Sequence, residues 1–218
     1  GTGIYGIKNA TNKNKANTLC TSKVTNMYDM LFGSSFNQDI SKWDTSNVTN
    51  MDLMFRYATS FNRYINDWDV SNVQSMGEMF GNATSFNQPL YNWNTSKVKS
   101  MGYMFSGATS FNQSLNNWDV GNVQNMNQMF SGATSFNQPL NNWNTSKVIS
   151  MGGMFKGATS FNQYLSTWDT SKVSGSGMND MFERATSFNN GDNIGKNERP
   201  LTWNTSNVTN MSYMFDNA

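Results

Sequence analysis

The sequence predicts an α/β solenoid, with one short helix and one short parallel strand in each coil of about 25 residues. Three observations carry this. Trp recurs at 43, 68, 93, 118, 143 and 168, always 25 residues apart, and again at 203. Trp, Met and Phe are all assigned to columns of that repeat, with no second, non-repetitive domain beside it. Within each coil the apolar residues fall into two patterns, one of helical spacing and one of alternating spacing. A fixed period marks stacked repeats forming one elongated body, where 218 residues would otherwise suggest one or two domains.

In chain order, residues 1–18 match no repeat. Ile4, Tyr5 and Ile7 form a short apolar cluster ahead of Lys8, Lys13 and Lys15. The segment is expected to cap the open end of the stack, the alternatives being a frayed tail or the remnant of an earlier coil. The repeat solenoid occupies 19–218, with coils starting near 19, 43, 68, 93, 118, 143, 168 and 203. In the first coil Leu19 takes the Trp position and Cys20 the Asp/Asn position. Cys20 is read as an ordinary column residue, since no apolar run precedes it as lipid attachment requires. That coil is one residue short between Met30 and Phe36. The coil from Trp168 carries two extra residues between Val173 and Met178. It carries eight more between Phe188 and Trp203, an insert within 189–200. Insertions in solenoids map to loops, often on the binding face. The chain starts at Gly1 and stops at Ala218 within a coil, as a mature or excised portion of a longer protein would.

In the coil from Trp93, Val98, Met101, Met104, Phe105 and Ala108 are spaced as one apolar stripe on a helix. Ser96 is placed to cap its start, as Ser46 and Ser146 are in their coils. Gly107 suits its end, as do Gly132 and Gly157. A helix is therefore predicted from about Lys97 to Gly107. Phe111 and Leu115 would share one face of a strand over 111–115, pairing in parallel with its neighbours. Asn116 and Asn117 then form the return turn, because Asn mimics a backbone turn and tolerates left-handed geometry. A lone coil buries too few large side chains to offset the entropy of ordering it, so stability has to come from stacking.

Charged residues are 13 % of the chain and net charge is +1. No basic stripe of the kind nucleic acid needs is implied, so no nucleic-acid partner is expected. Aromatics at 14 % set the chain apart from disordered polar sequences. It has no His, which excludes Ser-His-Asp and Cys-His catalysis and the common His metal sites. A single Cys excludes an internal disulfide. No apolar run is long enough to span a bilayer, so direct membrane insertion is not expected.

The pattern W-[DN]-[TV]-S-[NK]-V-x-x-M-x-x-M-F-x-x-A-x-S-F-N-Q-x-L resembles the BspA-like leucine-rich surface repeat, also called DUF285, over about Leu19 to Ala218. That resemblance implies a single right-handed, leucine-rich-repeat-like solenoid with a parallel strand ladder. Such proteins occur mostly at bacterial surfaces, are mostly of unknown function and are associated with adhesion. The resemblance brings no catalytic residues to carry over.

Several columns have competing readings. Asp44, Asp69, Asn94, Asp119, Asn144, Asp169 and Asn204 suit turns or caps, the alternative being stacked oxygen ligands for Ca²⁺. Asn62, Asn87, Asn112, Asn137 and Asn162 suit an amide ladder, the alternative being an exposed polar strip. Trp43, Trp68, Trp93, Trp118, Trp143, Trp168 and Trp203 are read as a structural column of the core. A Thr column from Thr59 to Thr186 sits in a turn, which suits ice binding poorly. A two-coil alternation overlies the period: Asn-Thr-Ser-Lys follows Trp93 and Trp143, and Val replaces Thr at 70 and 120. It reflects either duplication of a pair of coils or a surface that repeats every second coil.

The expected function is that of a non-enzymatic extracellular or cell-surface protein, without cofactor or metal, presenting an extended binding surface. Its partner would be a protein or glycan of a host or neighbouring cell. The competing expectation is that it binds itself, as the subunit of a filament built by head-to-tail stacking. The candidate interaction residues are Arg63, Tyr64, Tyr91, Ser114 and Tyr164, with Asn193, Lys196 and Arg199 of the insert.

Overall fold

Each coil is a closed circuit of β-turns. The computed structural model describes residues 19–192 and 198–218. The expected cap at 1–18, and Asn193 and Lys196, lie outside them. Among the described residues there is no helix, and the pairing between coils appears as isolated parallel bridges. The predicted helix at 97–107 and the predicted strand at 111–115 are both corrected by this.

The segment predicted as helix divides its backbone donors between two directions. Met104, Ser106 and Ala108 donate back three residues, to Met101, Tyr103 and Phe105. Met101, Tyr103, Phe105 and Gly107 donate forward to Asn125, Asn127, Met129 and Ser131 of the next coil. A helix would use all these donors locally, so this arrangement exchanges four of the seven for links between coils. Tyr103 and Gly107 take positive φ, 58° and 68°, at the third position of their turns, as type II geometry requires. Gly107 therefore turns the chain but ends no helix. Tight turns closed by bonds between residues three apart mimic helical spacing over so short a stretch, which is why periodicity did not separate the two.

The parallel bridges run Asn26–Asn50–Ser75–Ser100–Asn125–Ser150, one residue per coil. The ladder therefore lies just before the Met columns and not at Phe111–Leu115. In that stretch pairing passes through side chains. The backbone N–H of Asn112 donates to Asn87 Oδ1 at 3.0 Å, and Gln113 Nε2 donates to the same oxygen at 3.0 Å. The same link joins Asn62, Asn87, Asn137 and Asn162 to the Asn one coil back. The return turn at Asn116–Asn117 is closed by Trp118 N–H on Leu115 O at 3.0 Å.

The core is one apolar cluster in which like residues of neighbouring coils meet. Trp93 and Trp118 stack at 6.1 Å with planes 5° apart, and Phe105 and Phe130 at 5.7 Å and 5°. Within a coil Phe105 and Phe111 stack at 4.1 Å. In the Met columns, Met101, Met104, Met126 and Met129 are fully buried. From Trp68 to Trp203 each indole N–H also has a fixed acceptor, in turn the carbonyl of Ile40, Ile65, Leu90, Leu115, Leu140 and Leu165. This satisfies a buried donor that would otherwise weaken the stack. Phe32 departs from the column assignment: Leu31 takes the buried Phe position of the first coil, and Phe32 points outward.

The Asp/Asn column closes turns. Asp44, Asp69, Asn94, Asp119, Asn144, Asp169 and Asn204 each accept, through Oδ1, the backbone N–H two residues on. Ser46, Ser96 and Ser146 are the donors in their coils, so they cap no helix. The two extra residues at 174–177 move the pairing: Gly175 bridges Val208, and Thr209 and Asn210 both donate to Gly175 O. The base of the larger insert is tied down by Asn190, which accepts from Leu165 N–H at 2.8 Å and donates to Ser166 Oγ.

Candidate interaction surface

The repeat buries its apolar columns and leaves several of its variable ones exposed. In the stretch after the buried Phe column, residues 64, 114 and 164 occupy one outward column, filled by Tyr, Ser and Tyr. Tyr64 and Tyr164 are 40 % and 38 % exposed, and Tyr91, two positions further along its coil, is 55 % exposed. Four coil steps separate Tyr64 from Tyr164, about 19 Å at the usual spacing of paired strands.

Two of these positions are fixed by neighbours. Arg63 Nε donates to Asn37 O at 2.7 Å, which lays its side chain along the preceding coil. Tyr64 donates its hydroxyl to Asp67 Oδ1 at 3.0 Å. At the other end, the Arg199 guanidinium lies 5.9 Å from the Tyr164 ring centre and donates to Gly191 O at 3.2 Å. Tyr164 and Arg199, 35 residues apart in sequence, therefore form one pair because the insert folds back on the coil before it.

The described residues hold no group of three or more His, Cys, Asp or Glu arranged for a metal ion. No helix among them is long and apolar enough to cross a membrane. The ion pairs present are local. Lys156 Nζ meets Glu183 Oε2 at 2.6 Å, and this hydrogen bond holds the Glu183 carboxyl below its ordinary pKa and Lys156 above its own. Bonds from Ser46 and Ser171 lower Asp44 and Asp169 in the same way.

The family described as "Mycoplasma protein of unknown function, DUF285" matches residues 4–118, 89–193 and 141–218. Together these overlapping matches run from residue 4 to the last residue. The chain belongs to the DUF285 family. No curated protein and no solved structure matches it. DUF285 membership settles the repeat architecture and leaves the function open, as the family description itself does.

This DUF285 chain has a second exposed aromatic group that the sequence reading missed. Phe32 and Tyr57 meet edge to face at 5.5 Å, and the Arg56 guanidinium lies 4.9 Å from the Tyr57 ring centre. Arg56 also pairs with Glu78 at 2.7 Å. The signal was present: the residues between the Phe and Ala columns change from Arg56-Tyr57 to Gly81-Asn82 to Ser106-Gly107. Reading the stretch as an amphipathic helix made that variation look like an ordinary solvated face.

Proposed function

We propose that this DUF285 chain is a non-enzymatic repeat protein of the cell surface or extracellular space. It presents an extended surface for adhesion, to a protein or glycan of a host or neighbouring cell. The observation that supports this reading is the division of labour between columns. Trp, Met and Phe columns are buried with little change from coil to coil, while the columns carrying Tyr64, Ser114 and Tyr164 change and stay exposed. A constant core under a varied surface is what a binding scaffold needs. Tyr and Arg, prominent here, are also the residues that dominate interface energetics.

The test is attachment of the purified chain to cells and to a glycan and host-protein panel, compared with a variant carrying Tyr64→Ala, Tyr91→Ala and Tyr164→Ala. Loss of attachment with folding retained supports this surface. Unchanged attachment rejects it.

A second reading, head-to-tail assembly, draws on the stacking itself, since the contact of like rings between coils, as between Trp93 and Trp118 or Phe105 and Phe130, would serve equally between copies. Electron microscopy at rising concentration separates the two readings: filaments favour assembly, and monomers throughout count against it.

A further inference from the structure

The two-coil alternation has a structural consequence on a different face. Lys97 and Lys147 lie four residues after their Trp, and Lys99 six after. The Tyr columns lie 21 and 23 after theirs. Lys97 Nζ donates to Asn72 Oδ1 at 2.6 Å, and Lys147 Nζ donates to Asn122 Oδ1 at 2.6 Å. Asn72 and Asn122 are themselves held, each donating through Nδ2 to Ser46 O or Ser96 O at 2.7 Å. Each lysine is thus positioned by an amide that is anchored one coil further back. An ammonium group carries three donors, so two on each lysine are left for a ligand.

These lysines border a groove of about 390 Å³, together with Lys99, Gln74, Gln124 and Asn122. No carboxylate lines it. The turn position beside Lys97 and Lys147 is Asn94 or Asn144, where the intervening coil has Asp119. In a chain of net charge +1, three exposed lysines around one carboxylate-free groove form a local positive field. Lys97 and Lys147 are two coils apart, about 10 Å at strand-pairing distance.

We propose that this groove binds a linear acidic polysaccharide whose negative groups recur at about that two-coil spacing. The lysines take the carboxylate or sulfate groups. The carboxamides of Gln74, Gln124 and Asn122 both donate and accept, which suits the hydroxyls between the charges. An acidic peptide fits less well, because a strand would need free backbone groups. Here Lys99 N–H is bound to Gln74 O, and Gln124 N–H to Lys99 O, both at 2.9 Å. No aromatic ring lines the groove for base stacking. The inference names a ligand class within the adhesive reading, but on other residues. Its test reads polyanion binding and not cell attachment, so the two can fail separately.

The probe is hyaluronan oligosaccharide, with one carboxylate per disaccharide, titrated into the purified chain at low salt. Binding that weakens with added salt is expected, with no binding of neutral dextran. Lys97→Gln with Lys147→Gln should weaken it about tenfold or more, since charge-assisted bonds are lost. Lys42→Gln, which removes a lysine charge elsewhere, should leave it unaltered. Near-ultraviolet circular dichroism of the stacked Trp residues reports that the variants remain folded. Absence of hyaluronan binding, equal loss with Lys42→Gln, or equally tight binding of poly-L-glutamate would each overturn the proposal.

Discussion

Trp118 Nε1 donates to the carbonyl oxygen of Leu90 at 2.9 Å, across 28 residues of chain. Leu90 is fully buried, and the Trp118 ring stacks on Trp93. One side chain therefore supplies apolar area, ring stacking and a second donor to the Leu90 carbonyl, beside the Trp93 N–H.

Replacing Trp118 with Phe keeps a ring in the column but removes one of two donors on the Leu90 carbonyl, which retains the Trp93 N–H at 3.2 Å. The expected cost is about 0.5–1.5 kcal/mol, beyond the loss of ring volume. Urea denaturation measures it. A midpoint equal to that of the unchanged chain would show that the indole bond contributes nothing.

Thr95 Oγ1 donates to Asp119 O at 2.9 Å, and Thr45 and Thr145 repeat this bond at every second coil. Val70 and Val120 fill the alternate positions, equally buried. Thr95→Val should therefore cost about 1 kcal/mol through the lost bond, with packing volume preserved. A stabilised variant would mean that the hydroxyl's desolvation outweighs its bond.

Leu53 holds φ at 60° in the column where Gly153 takes the same value. Leu53→Gly should raise stability by about 1 kcal/mol, because a left-handed conformation costs a side-chain-bearing residue roughly 1–2 kcal/mol. Gly107→Val should destabilise, since φ is 68° there and an added Cβ would press on Asn82 Oδ1. Thermal unfolding of the pair tests both signs at once.

The Glu183 carboxyl is held below its ordinary value by Lys156. Its contribution to stability is thus fully present above the ordinary Glu pKa of about 4.3, and is lost as pH falls through the lowered value. Glu183→Gln should lose less stability than the unchanged chain between pH 6 and pH 3. The Lys156 pKa is raised, so its side of the pair is lost only as pH climbs past about 10.4. Urea midpoints across pH give the comparison, and identical acid limbs would count against the pair.

Far-ultraviolet circular dichroism should lack the double minimum of helix. A spectrum with the helix content expected from residues 97–107 of every coil would contradict the turn-built coil described above.

Much of the candidate surface was legible. Tyr64, Tyr91 and Tyr164 lie between fixed columns in the sequence, and the structure exposes all three. The pairing of Arg199 with Tyr164 was not legible, because it depends on how the insert folds back. Nor was the Phe32–Arg56–Tyr57 group, whose members belong to two coils and meet only on stacking.

By itself, the sequence determined the period, the membership of the buried columns apart from the exchange of Leu31 for Phe32 in the first coil, and the sites of the insertions. These follow from spacing and side-chain type alone. Only the tertiary structure decided between helix and turns over Met101–Ala108. The same 3-3-1-3 spacing buries the same residues either way, and the choice rests on where alternate N–H groups find acceptors. Met101, Tyr103, Phe105 and Gly107 find them in the next coil. A single coil has no such neighbour, so its local sequence could not express that preference.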